Sequence, residues 1–131
     1  MSTPIRGPLR VLVVDDFRRL ADYVVQLLTE SGYHACAAYD GEHALRTAES
    51  FLPDAVISDI YMPRMNGFQL AAAISGRFPE CMVLLTSANS ELSSSSQKPQ
   101  QFRIVPKSSL LDELNDFLES CYPASAAKIP A

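Results

Sequence analysis

Asp54-Ala55-Val56-Ile57-Ser58-Asp59-Ile60-Tyr61-Met62-Pro63-Arg64-Met65-Asn66-Gly67 changes character twice within one short stretch. An apolar, β-branched run ends in a carboxylate at Asp59. Met62-Pro63 then turns the chain, and from Asn66 onward Phe68, Leu70, Ala71 and Ile74 recur at helical spacing. The stretch reads as a strand over 54–59, a turn, and a helix over 66–78 closed by Pro79, with Asp59 at the strand's carboxyl end.

The same alternation extends in both directions. Residues 9–14 form an apolar run that ends at Asp15-Asp16. A helix over 17–31 follows, with Leu20, Val24, Leu27 and Leu28 at its spacing and Gly32 as its stop. Residues 33–38 read as a second strand, and 41–50 as a helix with Ala44, Leu45 and Ala48 on one face. Residues 81–86 are a fourth strand ending in Thr86, and 102–105 a fifth, followed by Pro106 and Lys107. The last helix, 108–121, turns Leu110, Leu111, Leu114, Phe117 and Leu118 inward, with Ser108 or Ser109 as cap. The segment 87–101 is the exception. It holds six serines, and Leu92 is its only large apolar residue, so a helix there is expected to be short or mobile.

Strands alternating with helices of this length predict an α/β fold with a parallel sheet and right-handed crossovers. No repeat or composition shift marks a second domain. The expected organisation is an N-terminal extension over 1–8, one domain over 9–121 and a frayed tail over 122–131. The 131 residues are 47% hydrophobic, an ordinary globular content, and carry a net charge of −4, against the basic footprint of a nucleic-acid binder. No apolar run nears the roughly 20 residues of a membrane span, and residues 1–10 lack an apolar signal core. A cytoplasmic chain, free of nucleic acid and membrane, is expected. Cys36, Cys81 and Cys121 are widely spaced, which suits buried free thiols.

Ligands of open α/β sheets bind beyond the carboxyl ends of the strands. Asp15, Asp16, Asp59, Thr86 and Lys107 all fall there. Two carboxylates about 4 Å apart repel by roughly 4 kcal/mol at an effective dielectric near 20. A hard divalent cation relieves that repulsion, and Mg2+ suits a site of one or two carboxylates, waters and a phosphate. Beside a cation, Asp59 can act as a nucleophile toward a phosphoryl group, giving an acyl phosphate. Lys107 then supplies a compact positive charge and Thr86 a hydroxyl donor for the phosphoryl oxygens. The plainer roles are a helix N-cap for Asp16, a turn residue for Asp59, a β-branched strand residue for Thr86 and a surface charge for Lys107.

Val13-Val14-Asp15-Asp16-Phe17, the stretch from Asp54 to Gly67, Leu84-Leu85-Thr86-Ser87 and Lys107 together resemble the receiver domain of two-component response regulators, over roughly residues 9–121. The resemblance implies a doubly wound, flavodoxin-like sheet of order 2-1-3-4-5 with helices on both faces, the fourth helix being atypical here. It implies that Asp59 accepts a phosphoryl group from a histidine kinase or histidine phosphotransfer protein. Asp16, Asp59 and the Tyr61 carbonyl would hold Mg2+ directly, and Asp15 a metal-bound water. Thr86 and Lys107 would contact the phosphoryl oxygens. Tyr61 and Ala88 would flank that group, and neither is a base for hydrolytic water, so slow self-dephosphorylation is expected. Such a chain is a switch and not a turnover enzyme. With ten residues after the last helix, it reads as a stand-alone receiver or a piece of a longer protein. Its output is then contact with a partner protein yet to be identified, or onward phosphoryl transfer.

The chain departs from the family pattern in its last third. Ile104 stands at the aromatic switch position three residues before the lysine, and Ser108 stands where proline usually follows it. Pro106 precedes the lysine, a place proline tolerates on an edge strand, with a cis Val105–Pro106 bond as one option. Coupling through Thr86 and Ile104 is therefore expected to differ, with phosphorylation ordering segment 87–101. The alternative function is a receiver-like protein-binding module independent of phosphorylation. An aspartate-nucleophile phosphatase is disfavoured, because Tyr61 stands where its second aspartate would be. His34 and His43 are expected away from strand carboxyl ends and outside the chemistry, and Arg18 and Arg19 mainly solvated.

Overall fold

In the computed structural model, residues 7–88 and 102–121 are described. Five strands alternate with helices: β1 (Arg10–Val14), α1 (Arg18–Glu30), β2 (His34–Ala38), α2 (Gly41–Phe51), β3 (Ala55–Asp59), α3 (Gly67–Arg77), β4 (Met82–Ser87), β5 (Arg103–Pro106) and α4 (Leu110–Ser120). All neighbours pair in parallel, in the order β2-β1-β3-β4-β5. This is the flavodoxin-like sheet the motifs implied. Residues 89–101, which hold most of the serine-rich segment, lie outside the described residues, as do 1–6 and 122–131. Among the described residues no helix is long and apolar enough to cross a membrane.

Period-two alternation along the strands divides the core into two. Val11, Val13, Ala55, Ile57, Leu84 and Val105 face α1 and α4, against Ala21, Val24, Leu28, Leu114, Phe117 and Leu118. Leu12, Val14, Val56, Val83 and Leu85 face the opposite way, against Ala44, Ala48, Leu70, Ala71 and Ile74 of α2 and α3. Strands buried on both faces read as continuous apolar runs, which is why β1, β3 and β4 look alike in the sequence. The order reverses between β1 and β3, and the chain there leaves the sheet in opposite directions, opening a crevice at the carboxyl ends.

Several local expectations are corrected. Asp16 does not cap α1: Phe17 holds the N-cap position without a side-chain bond. The adjacent Asp15 carboxylate instead accepts the Phe17 amide hydrogen at 2.9 Å. Of Ser108 and Ser109, it is Ser109 that takes the N-cap position of the last helix. Lys107–Ser109 form one 3-10 turn leading into α4, whose N-cap Ser109 makes no side-chain cap bond. β5 runs one residue later than expected and includes Pro106, opposite Ser87 at the sheet's edge. No peptide bond among the described residues is cis. His43 is not remote from a strand end. It lies in the first turn of α2, where its Nδ1 accepts the Tyr39 amide hydrogen at 3.2 Å, just past β2. Arg18 is not simply solvated, since its guanidinium lies 4.3 Å from the Tyr39 ring centroid. The three thiols are free but only half-buried.

Leu118 is fully buried and helps hold α4 to the sheet. Leu118→Ala should lower unfolding stability by about 2–5 kcal/mol in urea denaturation. A change below 1 kcal/mol would show that α4 is not part of the cooperative core.

Candidate functional site

Asp15 follows the last residue of β1, and its amide hydrogen bonds to the Ala38 carbonyl at 3.1 Å, which carries the pairing with β2 one residue past the strand. One carboxylate oxygen accepts the Phe17 amide hydrogen, and the other lies 3.0 Å from Lys107 Nζ. Asp59 is the last residue of β3, only 5% exposed, and its Oδ2 lies 3.5 Å from the same Nζ. Lys107 follows β5 and reaches across β4 to both acids. Asp16 is exposed, yet one oxygen each from Asp15, Asp16 and Asp59 can be chosen so that all lie within 4.8 Å of one another. Thr86 is buried, sits opposite Asp59 in the β3–β4 register, and its carbonyl accepts the Ile60 amide hydrogen at 2.9 Å.

Three acids face one ammonium, and that imbalance shapes the protonation of the site. Burial and then the Asp15 carboxylate push the Asp59 pKa up to about 6, against the opposing pull of Lys107 and the Tyr61 amide. Burial works against the charge of Lys107, but its contacts with Asp15 and Asp59 outweigh that and leave its pKa raised. An oxygen-rich, over-anionic cradle is the donor set that suits a hard divalent cation. Both oxygens of Asp15 are engaged, whereas Asp16 is open to solvent.

The expected site residues separate into two groups. Asp15, Asp16, Asp59 and Lys107 converge, with Thr86 alongside. Tyr61 stands in the loop after β3 with its side chain 58% exposed. Ala88 is exposed just after β4. Ile104 is not at the cluster: it is half-buried against the α2–α3 face, opposite Leu85. The sequence reading gave Gly67 no role. A Cβ there would stand 2.4 Å from the Asp59 carbonyl oxygen and 2.7 Å from Ile60 Cα, so only glycine lets α3 start beside the end of β3. Its signal was its place at the end of the stretch 54–67, which carries the family resemblance.

The chain matches the family model described as the response regulator receiver domain over residues 11–118. It is 34% identical over 86 residues to the response regulator MprA of Mycolicibacterium vanbaalenii, covering 66% of this chain and 37% of that protein. The chain thus spans little more than a third of that curated relative. Its structure is similar to that of the response regulator protein TrrA of Thermotoga maritima in complex with Mg2+-BeF, with a TM-score of 0.76 and 32% identity, covering 87% of this chain and 99% of the other. It is also similar to a chain in the complex of histidine kinase ThkA with TrrA, with a TM-score of 0.73 and 29% identity over 88% and 99% of the two chains.

Folded Asp59 keeps its proton up to about pH 6, whereas the ordinary value is 3.8. The folded state therefore binds the extra proton between those limits. Stability from this group is full below pH 3.8 and is lost as pH rises through 6. In a chelating buffer, Asp59→Asn should gain about 2 kcal/mol over wild type between pH 4 and pH 7, read from urea midpoints across that range. Parallel pH profiles for the two proteins would show that the carboxylate is not held in this way.

Proposed function

The chain belongs to the response regulator receiver domain family, and from that membership we propose that it is the phosphoryl-accepting element of a two-component phosphorelay, with Asp59 as acceptor. The observation that carries this reading is Lys107 Nζ standing between the buried carboxylates of Asp15 and Asp59 at the crevice. Receiver domains are signalling modules, and the assignment makes this chain a switch with no turnover of its own.

The donor is a phosphohistidine on a histidine kinase or histidine phosphotransfer protein, a partner class supported by the similarity to TrrA in its kinase complex. An Asp59 carboxylate oxygen attacks phosphorus, the P–N bond breaks, and imidazole leaves with the bonding pair. The transition state spreads charge over three equatorial oxygens, so catalysis is positioning plus electrostatics. Lys107 stabilises one oxygen, and Thr86 donates its hydroxyl hydrogen to another. Asp16, Asp59 and the Tyr61 carbonyl would hold Mg2+, and Asp15 would act through a water. The engagement of both Asp15 oxygens and the openness of Asp16 support this division. Mg2+, when bound, would supply further neutralisation of the phosphoryl charge. The reading places the chain in the cytoplasm, with output through contact with a protein partner. The extent of the receiver unit is proposed as 9–121. The rival, phosphorylation-independent binding module draws on Ile104 and on Ser108 after the lysine, but it leaves the assembled pocket without a purpose.

Wild type treated with acetyl phosphate and Mg2+ should gain the mass of one phosphoryl group on the peptide that contains Asp59. Asp59→Asn should gain none, and Lys107→Met should accept it about a hundredfold more slowly. Phosphorylation that survives in Asp59→Asn would overturn the assignment. The exposed Tyr61 and Ala88 offer no base, so the phosphoaspartate should persist for minutes or longer. A lifetime of seconds would point to a base elsewhere in the site.

A further inference from the structure

The loop over 60–66 joins the acceptor strand to α3, and hydrogen bonds close its neck. The Gly67 amide hydrogen bonds to the Ile60 carbonyl at 2.8 Å, and the Ile60 amide hydrogen to the Thr86 carbonyl at 2.9 Å. A further contact is with α2, an element that brings no carboxylate to the cluster. Met65 lies so close to Gly41 that a Cβ on Gly41 would stand 2.6 Å from Met65 Sδ and 2.8 Å from its Cβ and Cγ. Beside it, Arg64 adopts the left-handed conformation at φ 69°. Its guanidinium lies 3.4 Å from Asp40, whose other oxygen caps α2 by accepting the His43 amide hydrogen at 2.7 Å.

Rotation of the Met65 side chain could carry Sδ and Cγ away from an added methyl group. It could not move Cβ, which is bonded directly to the Met65 backbone. Filling the seat at Gly41 must therefore move the loop backbone and the start of α2 apart. A left-handed non-glycine residue next to that seat is uncommon and is held from outside by such contacts. Tyr61 stands between the closed neck and this anchor.

We infer that Gly41 and Met65 are positioning residues for the cation site: the first turn of α2 fixes the loop that presents the Tyr61 carbonyl. The inference rests on the reading above, in which that carbonyl is a ligand. Mg2+ tolerates little departure from octahedral geometry, so a small loop displacement weakens binding. Asp40 adds a cap and an ion pair at the same turn, but the pair is exposed and contributes little by itself.

Calorimetric titration with Mg2+ alone tests this on the full chain as wild type, Gly41→Ala, Met65→Ala and Ala48→Gly. Ala48 is buried about two turns further along α2 and reports general loss of helix stability. Gly41→Ala and Met65→Ala should each bind Mg2+ about tenfold more weakly, with Ala48→Gly within about twofold of wild type. If Gly41→Ala fails to fold, Met65→Ala decides. Wild-type affinity in the Met65 and Gly41 variants overturns the positioning role and leaves Asp59 as acceptor untouched. Equal weakening in all three variants overturns it as well, because that is destabilisation of α2. A wild type that binds no Mg2+ overturns both this inference and the function proposed above.

Discussion

One ammonium between two buried carboxylates holds the crevice together. Lys107 touches Asp15 at 3.0 Å and Asp59 at 3.5 Å, so the ends of β1, β3 and β5 meet at a single nitrogen. This meeting needs the sheet order to be right, because β5 lies beyond β4 from both acids. Removing one member of such a group leaves an uncompensated buried charge, a larger loss than the intact contact is worth. The carboxylate excess that remains keeps the site receptive to a cation, and the upward push on the Asp59 carboxyl comes first from burial and then from the Asp15 carboxylate.

Much of this was legible in the sequence because it is encoded locally. Apolar runs ending in Asp15, Asp59 and Thr86 marked the strands and their carboxyl ends. A helix starting at Asn66 was legible too, and there Asn66 and Gln69 form a capping box, each side chain accepting the other residue's amide hydrogen. What escaped depends on neighbours distant in the chain. Gly67 looked like a helix-start glycine, while its real constraint is the backbone of Asp59 and Ile60 pressed against it. Gly41 and Met65 gave no local sign of each other. That Asp15, and not Asp16, engages the backbone before α1 turned on a single backbone turn, which side-chain pattern does not encode. Lys107 was placed after a strand, but its reach to both acids follows only from the assembled sheet.

The division of the core explains why the last third can vary without disturbing the acids. Ile104 packs toward α2 and α3, while Val105, its neighbour in β5, faces α1 and α4. The side chain at 104 thus stands on one face of the sheet, and the acidic cluster stands at its rim. An aliphatic residue there keeps the packing of that face. It lacks the large planar ring that the resemblance implied for this position.

β5 is four residues long, lies at the margin of the sheet and ends in Pro106, which has no amide hydrogen to give. A margin that short offers few donors to a strand arriving from another molecule. Open parallel sheets expose such margins as templates for unwanted association between copies. On this side the template is clipped before it can guide much growth. The proline beside the lysine therefore favours solubility as well as shape, and that service is independent of whether the acids ever meet a phosphoryl group.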